Sequence, residues 1–224
     1  MSVSLKQGWD PLAFLTGEQV DKLAAYEALM FEANERVNLV SRASIASFRE
    51  RHLIHSLAIG IRSFPEGSTV VDWGSGGGLP GIPLAVQFPA VQFVLVDSIR
   101  KKTDHVAAII RELDLKNVRV DRTRAEVWPG RCDFAVSRAT APLSRLWAWT
   151  KRASRSQRSN VAKSDAITEP GIGWLPGLIA LKGGNLEAEI EEARRRHAEL
   201  VIESIPLEPL LGANYADKYV IALS

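Results

Sequence analysis

A short β-rich run, Thr69 to Trp73, passes without a spacer into Gly74-Ser75-Gly76-Gly77-Gly78-Leu79-Pro80-Gly81. Glycines at this density let the chain reverse sharply and let a ligand reach backbone where a Cβ would collide. A strand, a glycine turn and a helix start, in that order, make the first βα unit of an α/β fold. Such a unit places a ligand crevice at the strand end.

The rest of the chain keeps that alternation. Val91 to Val96 reads as a second strand ended by Asp97, and Lys101 to Leu113 as a helix burying Val106, Ile109, Ile110 and Leu113. Val118 to Val120, Phe134 to Ser137 and Leu178 to Leu181 read as strands, followed by a charged helix from about Leu186 to Leu200. Val201 to Ile205 and Tyr219 to Leu223 bring the strand count to seven. The pattern predicts a doubly wound, mostly parallel, seven-stranded Rossmann-like sheet. Right-handed crossovers bring its strand ends, and hence the ligand, to one side.

An N-terminal helical extension is expected over residues 1–64, ahead of an α/β domain over 65–224. Thr16 and Gln19 form a capping box before Leu23, Tyr26, Met30, Ala33 and Val37, which share one helix face. A second helix is expected from about Ile45 to Ile61, closed by the turn Pro65-Glu66-Gly67. From Arg155 to Gly173 polar residues, Pro and Gly dominate without period, and 153–173 is read as a mobile basic loop.

Composition removes several classes of function. With 224 residues there is room for one well-buried core and a small appendage. The single cysteine, Cys132, excludes an internal disulfide or a cysteine-rich metal site. His52 and His55 stand at i, i+3 with no third ligand nearby, so no metal is expected. Met1 to Gln7 has no signal-peptide pattern and no apolar run reaches bilayer length, which predicts a cytoplasmic protein without membrane contact. A net charge of +2 does not by itself point to nucleic acid. Two clusters do so locally: Arg100-Lys101-Lys102, and Lys151, Arg152, Arg155, Arg158 and Lys163, a run with no acidic neighbour. The second cluster is expected to help hold a phosphate backbone.

A glycine turn of this kind serves NAD, FAD and S-adenosylmethionine alike. Asp72 ends the first strand, where a carboxylate repels a pyrophosphate and attracts a sulfonium and an ammonium. Asp97, at the end of the second strand, is placed for ribose hydroxyls of either kind of cofactor. Pro80 and Pro83 remove amide donors that a pyrophosphate would use. Together these favour S-adenosylmethionine over a dinucleotide.

Read in order, the fragments resemble the RsmG/GidB family of bacterial methyltransferases, which modify guanine N7 in small-subunit (16S) ribosomal RNA. The resemblance rests on Gly74 to Leu84 and extends to Arg51-His52, Ser56-Leu57, Asp97-Ser98, Lys101-Lys102 and Asn117-Val118. It continues through Arg124-Ala125-Glu126, Ser137-Arg138-Ala139, Ala141-Pro142-Leu143 and Leu181-Lys182-Gly183, with Asn34 and Asn38-Leu39 near the start. Carried over, it implies cofactor contacts from Gly74, Leu79, Ala125, Glu126 and Arg138, to which the ribose argument adds Asp97. It also implies an enzyme acting on small-subunit ribosomal RNA, and a monomer is expected. Arg138 and Lys182 are the positioning candidates, and no general base is expected. The chain departs from the family at Ala33, where Trp is usual, at His55, where Asp is usual, and in its long basic stretch. A different methyl acceptor, or an NAD-binding or non-catalytic protein of the same fold, are the competing readings.

Overall fold

The computed structural model describes residues 9–36, 45–138, 140–155 and 173–224. Seven strands are present: β1 (Thr69–Trp73), β2 (Gln92–Asp97), β3 (Val118–Arg122), β4 (Phe134–Arg138), β5 (Gly177–Gly183), β6 (Ile202–Pro206) and β7 (Lys218–Leu223). They form one sheet in the order β3-β2-β1-β4-β5-β7-β6. All pairs from β3 to β5 are parallel, while β7 lies antiparallel between β5 and β6. The doubly wound sheet expected from the sequence is therefore the one found. Chain direction across the sheet reverses between β1 and β4, so the crevice opens above their carboxyl ends.

The helices are α1 (Gly17–Arg36), α2 (Gly81–Gln87), α3 (Arg100–Glu112), α4 (Leu143–Ala153), α5 (Glu187–Arg196) and the short α6 (Glu208–Leu211). The predicted capping box opens α1: the Thr16 amide donates to Gln19 Oε1 at 2.8 Å, and the Gln19 amide to Thr16 Oγ1 at 3.3 Å. The stretch expected as one helix from Ile45 to Ile61 is instead a π-helical turn (Arg49–Ile54), one α turn (His55–Leu57) and a 3-10 turn (Ala58–Ile61). Helix α4 was not anticipated, although Leu143, Leu146, Trp147 and Thr150 carry the three-and-four spacing of its buried face.

Alternation along β1 feeds two core layers. Val70 points to the layer holding Leu23, Tyr26 and Met30 of α1, Ile82 of α2 and Val106 of α3. Val71 and Trp73 point to the other, with Leu143 and Leu146 of α4, Trp128 and Leu178. Helix α1 thus shares its core with the sheet. Edge strand β3 alternates Val with charged residues and is only partly buried, which blunts an exposed edge. Of the readings made from sequence, Met1 to Gln7, Val37, Asn38, Leu39, Ala139, Arg158 and Lys163 lie outside the described residues.

Asn117 shows how the βα units are fastened. Its side-chain amide donates to the carbonyls of Ala85 (3.0 Å) in the last turn of α2, of Phe88 (3.2 Å) just past it, and of Val91 (3.0 Å) ahead of β2. The Asn117→Ala variant should lose roughly 2–4 kcal/mol in urea unfolding, because it strands buried acceptors.

Candidate functional site

The glycine loop hangs from neighbouring strand ends. The Gly74 and Ser75 amides donate to the Val96 carbonyl at 2.8 and 3.2 Å. Positive φ angles of +69°, +57° and +91° at Gly74, Gly76 and Gly78 turn the chain in a way that side chains resist. Three side chains then hold it. Asp97 Oδ2 accepts from the Gly76 amide at 3.0 Å while its Oδ1 takes the Ile99 amide at 2.8 Å. Tyr26 of α1 donates its hydroxyl to the Gly77 carbonyl at 2.8 Å. Asp72 Oδ2 accepts from the Gly81 amide at 2.9 Å, fastening the start of α2.

The loop forms one wall of a cleft of about 560 Å³. Gly74, Leu79, Asp97, Ala125, Glu126 and Arg138, the six residues expected at a cofactor site, all line it. Ala125 and Glu126 sit in a 3-10 turn after β3, and Arg152 of α4 holds that turn by donating to the carbonyls of Ala125 (2.7 Å) and Trp128 (2.9 Å). Thr140 leans on the loop from the far side, its hydroxyl 3.2 Å from the Gly74 carbonyl. A Cβ on Gly76 would meet only the Gly74 carbonyl, at 3.9 Å, so a larger side chain there would extend into open space beside the cleft.

A second cavity, of about 1040 Å³, lies across Arg138 and Thr140, which line both spaces. Its walls come from the π-helical turn (Arg51, His52), the adjoining His55, the end of β5 (Lys182) and the C-terminal part (Tyr215, Lys218). Arg138 Nη1 donates to His52 Nδ1 at 2.5 Å. Burial pushes His52 down to about 4, helped by the charges of Arg138 and Arg51. Burial likewise takes His55 to about 3, with Arg138, Lys218 and His52 acting in the same direction. Both rings are neutral at physiological pH. Lys182 is not a free cation: its ammonium lies 2.5 Å from Glu189 Oε1 and 2.8 Å from the Ala141 carbonyl.

The basic run that starts in the last turn of α4 also differs from expectation. Lys151 pairs with Glu199 at 2.6 Å, Arg152 braces the turn above, and Arg155 pairs with Asp133 at 2.7 Å. The three described members of that cluster therefore have internal partners. Tyr26, Thr140, Tyr215 and Lys218 are site residues that sequence reasoning passed over.

Asp72 is fully buried below the loop and lines neither space, so it does not face a ligand as its strand-end position suggested. Among the described residues its Oδ1 has no partner, and burial raises its pKa to about 7 against the opposing pull of the Gly81 amide and Arg138. The folded state then binds a proton that the unfolded chain has released above about pH 4, so this carboxyl destabilises the fold as pH rises towards 7. Asp72→Asn, which keeps an acceptor for Gly81, should gain about 2–3 kcal/mol on wild type between pH 5 and 8 in denaturant titrations. A pH-independent gap would show that Asp72 is ionised throughout.

The sheet order, the glycine loop and the cleft at the β1/β4 reversal define a Rossmann-like methyltransferase fold. A methyltransferase of Aquifex aeolicus, described as S-adenosylmethionine-dependent, superposes with a TM-score of 0.53 at 14% identity, over 82% of this chain and 98% of that one. A ribosomal protein L11 methylase from Lactobacillus delbrueckii subsp. bulgaricus gives 0.54 at 15% identity, over 78% of each chain. The chain belongs to the GidB family, whose model, described as rRNA small subunit methyltransferase G, matches residues 19–170. A relative of that description in Salinibacter ruber is 42% identical over 96% of this chain and 97% of its own length. Another, in Bacteroides fragilis, is 42% identical over 78% of this chain and 80% of its own.

Proposed function

We propose that this protein transfers a methyl group from S-adenosylmethionine to N7 of a guanine in small-subunit (16S) ribosomal RNA, working as a cytoplasmic monomer. The observation that carries the reading is the convergence of six expected residues on the cleft beside the glycine loop, in a chain of the GidB family. No helix among the described residues is long and apolar enough to cross a membrane. Residues 1–64 act as a helical extension of the methyltransferase domain, 65–224.

The residues present fit the cofactor. The Gly76 position leaves open the space that a Cβ would enter, and Asp97 stands at the strand end where ribose hydroxyls are met. Gly74, Leu79, Asp97, Ala125 and Glu126 would hold it, with Arg138 bordering it at the partition between the two spaces. When bound, it supplies an electrophilic methyl on a sulfonium. The acceptor base enters the second cavity, on the other side of Arg138 and Thr140. Guanine N7 carries an in-plane lone pair and needs no deprotonation, so neutral His52 and His55 suffice as wall residues. Catalysis then rests on alignment of the two ligands and on exclusion of water. The base must leave its stack to reach this depth.

Comparing N7-methylguanosine maps of ribosomal RNA from cells with and without the protein tests the reading; identical maps would refute it. Gly76→Val should abolish S-adenosylmethionine binding in calorimetry while circular dichroism shows a folded domain, since the side chain both enters the cleft and strains a positive φ. Asp97→Ala should weaken the same binding by about 1.5–3 kcal/mol, the worth of a hydrogen bond to a charged group. Unchanged affinity would remove Asp97 from the site.

A further inference from the structure

Arg138 ends β4 and is the one charged side chain shared by the two cavities. How its guanidinium is held decides what it can offer to either. Among the described residues, its side-chain hydrogen-bond partner is His52 Nδ1, from an element 86 positions away in sequence. A guanidinium only donates, so Nδ1 must carry the lone pair and the proton of the ring must sit on Nε2.

His52 is itself fixed from two sides. Its ring packs on Phe48, with centroids 5.5 Å apart, and its carbonyl takes the Ser56 hydroxyl at 2.6 Å. The π-helical turn Arg49–Ile54 offers it to β4. Its Nε2 is buried without a partner among the described residues, a poor arrangement for a residue that serves packing alone. A phenylalanine would fill the same place against Phe48 with no stranded N–H. The imidazole supplies one thing that a phenylalanine lacks, an uncharged acceptor at Nδ1. A carboxylate there would also hold the guanidinium, but would neutralise its charge.

We infer that His52 is a positioning residue for methyl transfer, a neutral strut that aims Arg138 at the acceptor side of the partition. The aim follows from the lining: His52 borders the second cavity and not the glycine-loop cleft. Arg138 keeps its full charge and its remaining N–H groups for an oxygen of the acceptor nucleotide. The assignment rests on the proposed methyltransferase activity for its acceptor role, and on the Arg138–His52 contact for its geometry.

The experiment combines kinetics with ring spectroscopy on the full-length protein. His52→Phe keeps the ring but removes the acceptor; His52→Asn restores an acceptor near the Nδ1 position. With small ribosomal subunits lacking the modification, His52→Phe should lower kcat roughly 10- to 100-fold, the scale of a misplacement of about 1 Å. Its affinity for S-adenosylmethionine should stay within about twofold of wild type, as expected of a group absent from cofactor binding. His52→Asn should recover most of the rate. The His52→Phe/Arg138→Lys double variant should be no slower than Arg138→Lys alone, because residues acting as one unit do not lose independently. Multiplicative losses, an Asn variant as slow as Phe, or a loss of cofactor affinity that accounts for the rate would overturn the inference. Long-range proton–nitrogen spectra should show the Nε2-protonated neutral ring; an Nδ1-protonated or cationic His52 at neutral pH would overturn it as well. A wild-type protein that shows this ring form yet transfers no methyl group to the subunits would refute the activity and leave the Arg138–His52 pairing standing.

Discussion

The hydrogen bond from the Gly81 amide to the buried Asp72 carboxylate ties the first turn of α2 back to the end of β1. Past Trp73, everything between those two residues is glycine loop, a segment with few side chains to define its path. The contacts from Asp97 and Tyr26 act on a loop whose two ends are already set. Without that closure, the positive-φ residues would be free to populate other turns, and the cleft wall would not exist as a surface.

Electrostatics around the loop follow from the same burial. Asp72, Tyr26, His52 and His55 are all shifted towards their neutral forms by loss of water. Burial pulls Arg138 in the same direction, but a guanidinium stays charged in proteins, so Arg138 remains a cation beside groups that burial has neutralised. Lys182 contrasts with it, since a carboxylate and a carbonyl already absorb its ammonium. Two cations at comparable places on adjacent strands therefore have unlike work, one poised and one structural.

The strands could be read from sequence because the central ones are buried on both faces, which writes them as continuous apolar runs. Of the six cleft residues, Asp97 could be read from its place at the end of such a run, whereas Gly74, Leu79, Ala125, Glu126 and Arg138 were legible only through the family resemblance. Helix α4 was harder to see: Pro142, two tryptophans and several arginines mask a regular face of Leu143, Leu146, Trp147 and Thr150. Asp72 misled for a reason of parity. It shares its strand face with Val70, not with Trp73, so its carboxyl turns under the loop rather than towards the crevice. Arg152 and Arg155 looked free because their partners, the Ala125 and Trp128 carbonyls and Asp133, lie more than twenty residues away. A local charge count has no access to such pairings, and the Arg138–His52 contact is hidden in the same way.

Strand β7 enters the sheet between β5 and β6, after both have passed in chain order. The cleft beside the glycine loop is complete by Trp149, whereas the second cavity also needs Asn214, Tyr215 and Lys218. During synthesis, when earlier segments fold first, the nascent chain can assemble the walls of the glycine-loop cleft well before it owns those of the second cavity. Order of emergence thus separates the two halves of the site in time: an unfinished chain holds at most one of them, and both coexist only once β7 has been threaded into place.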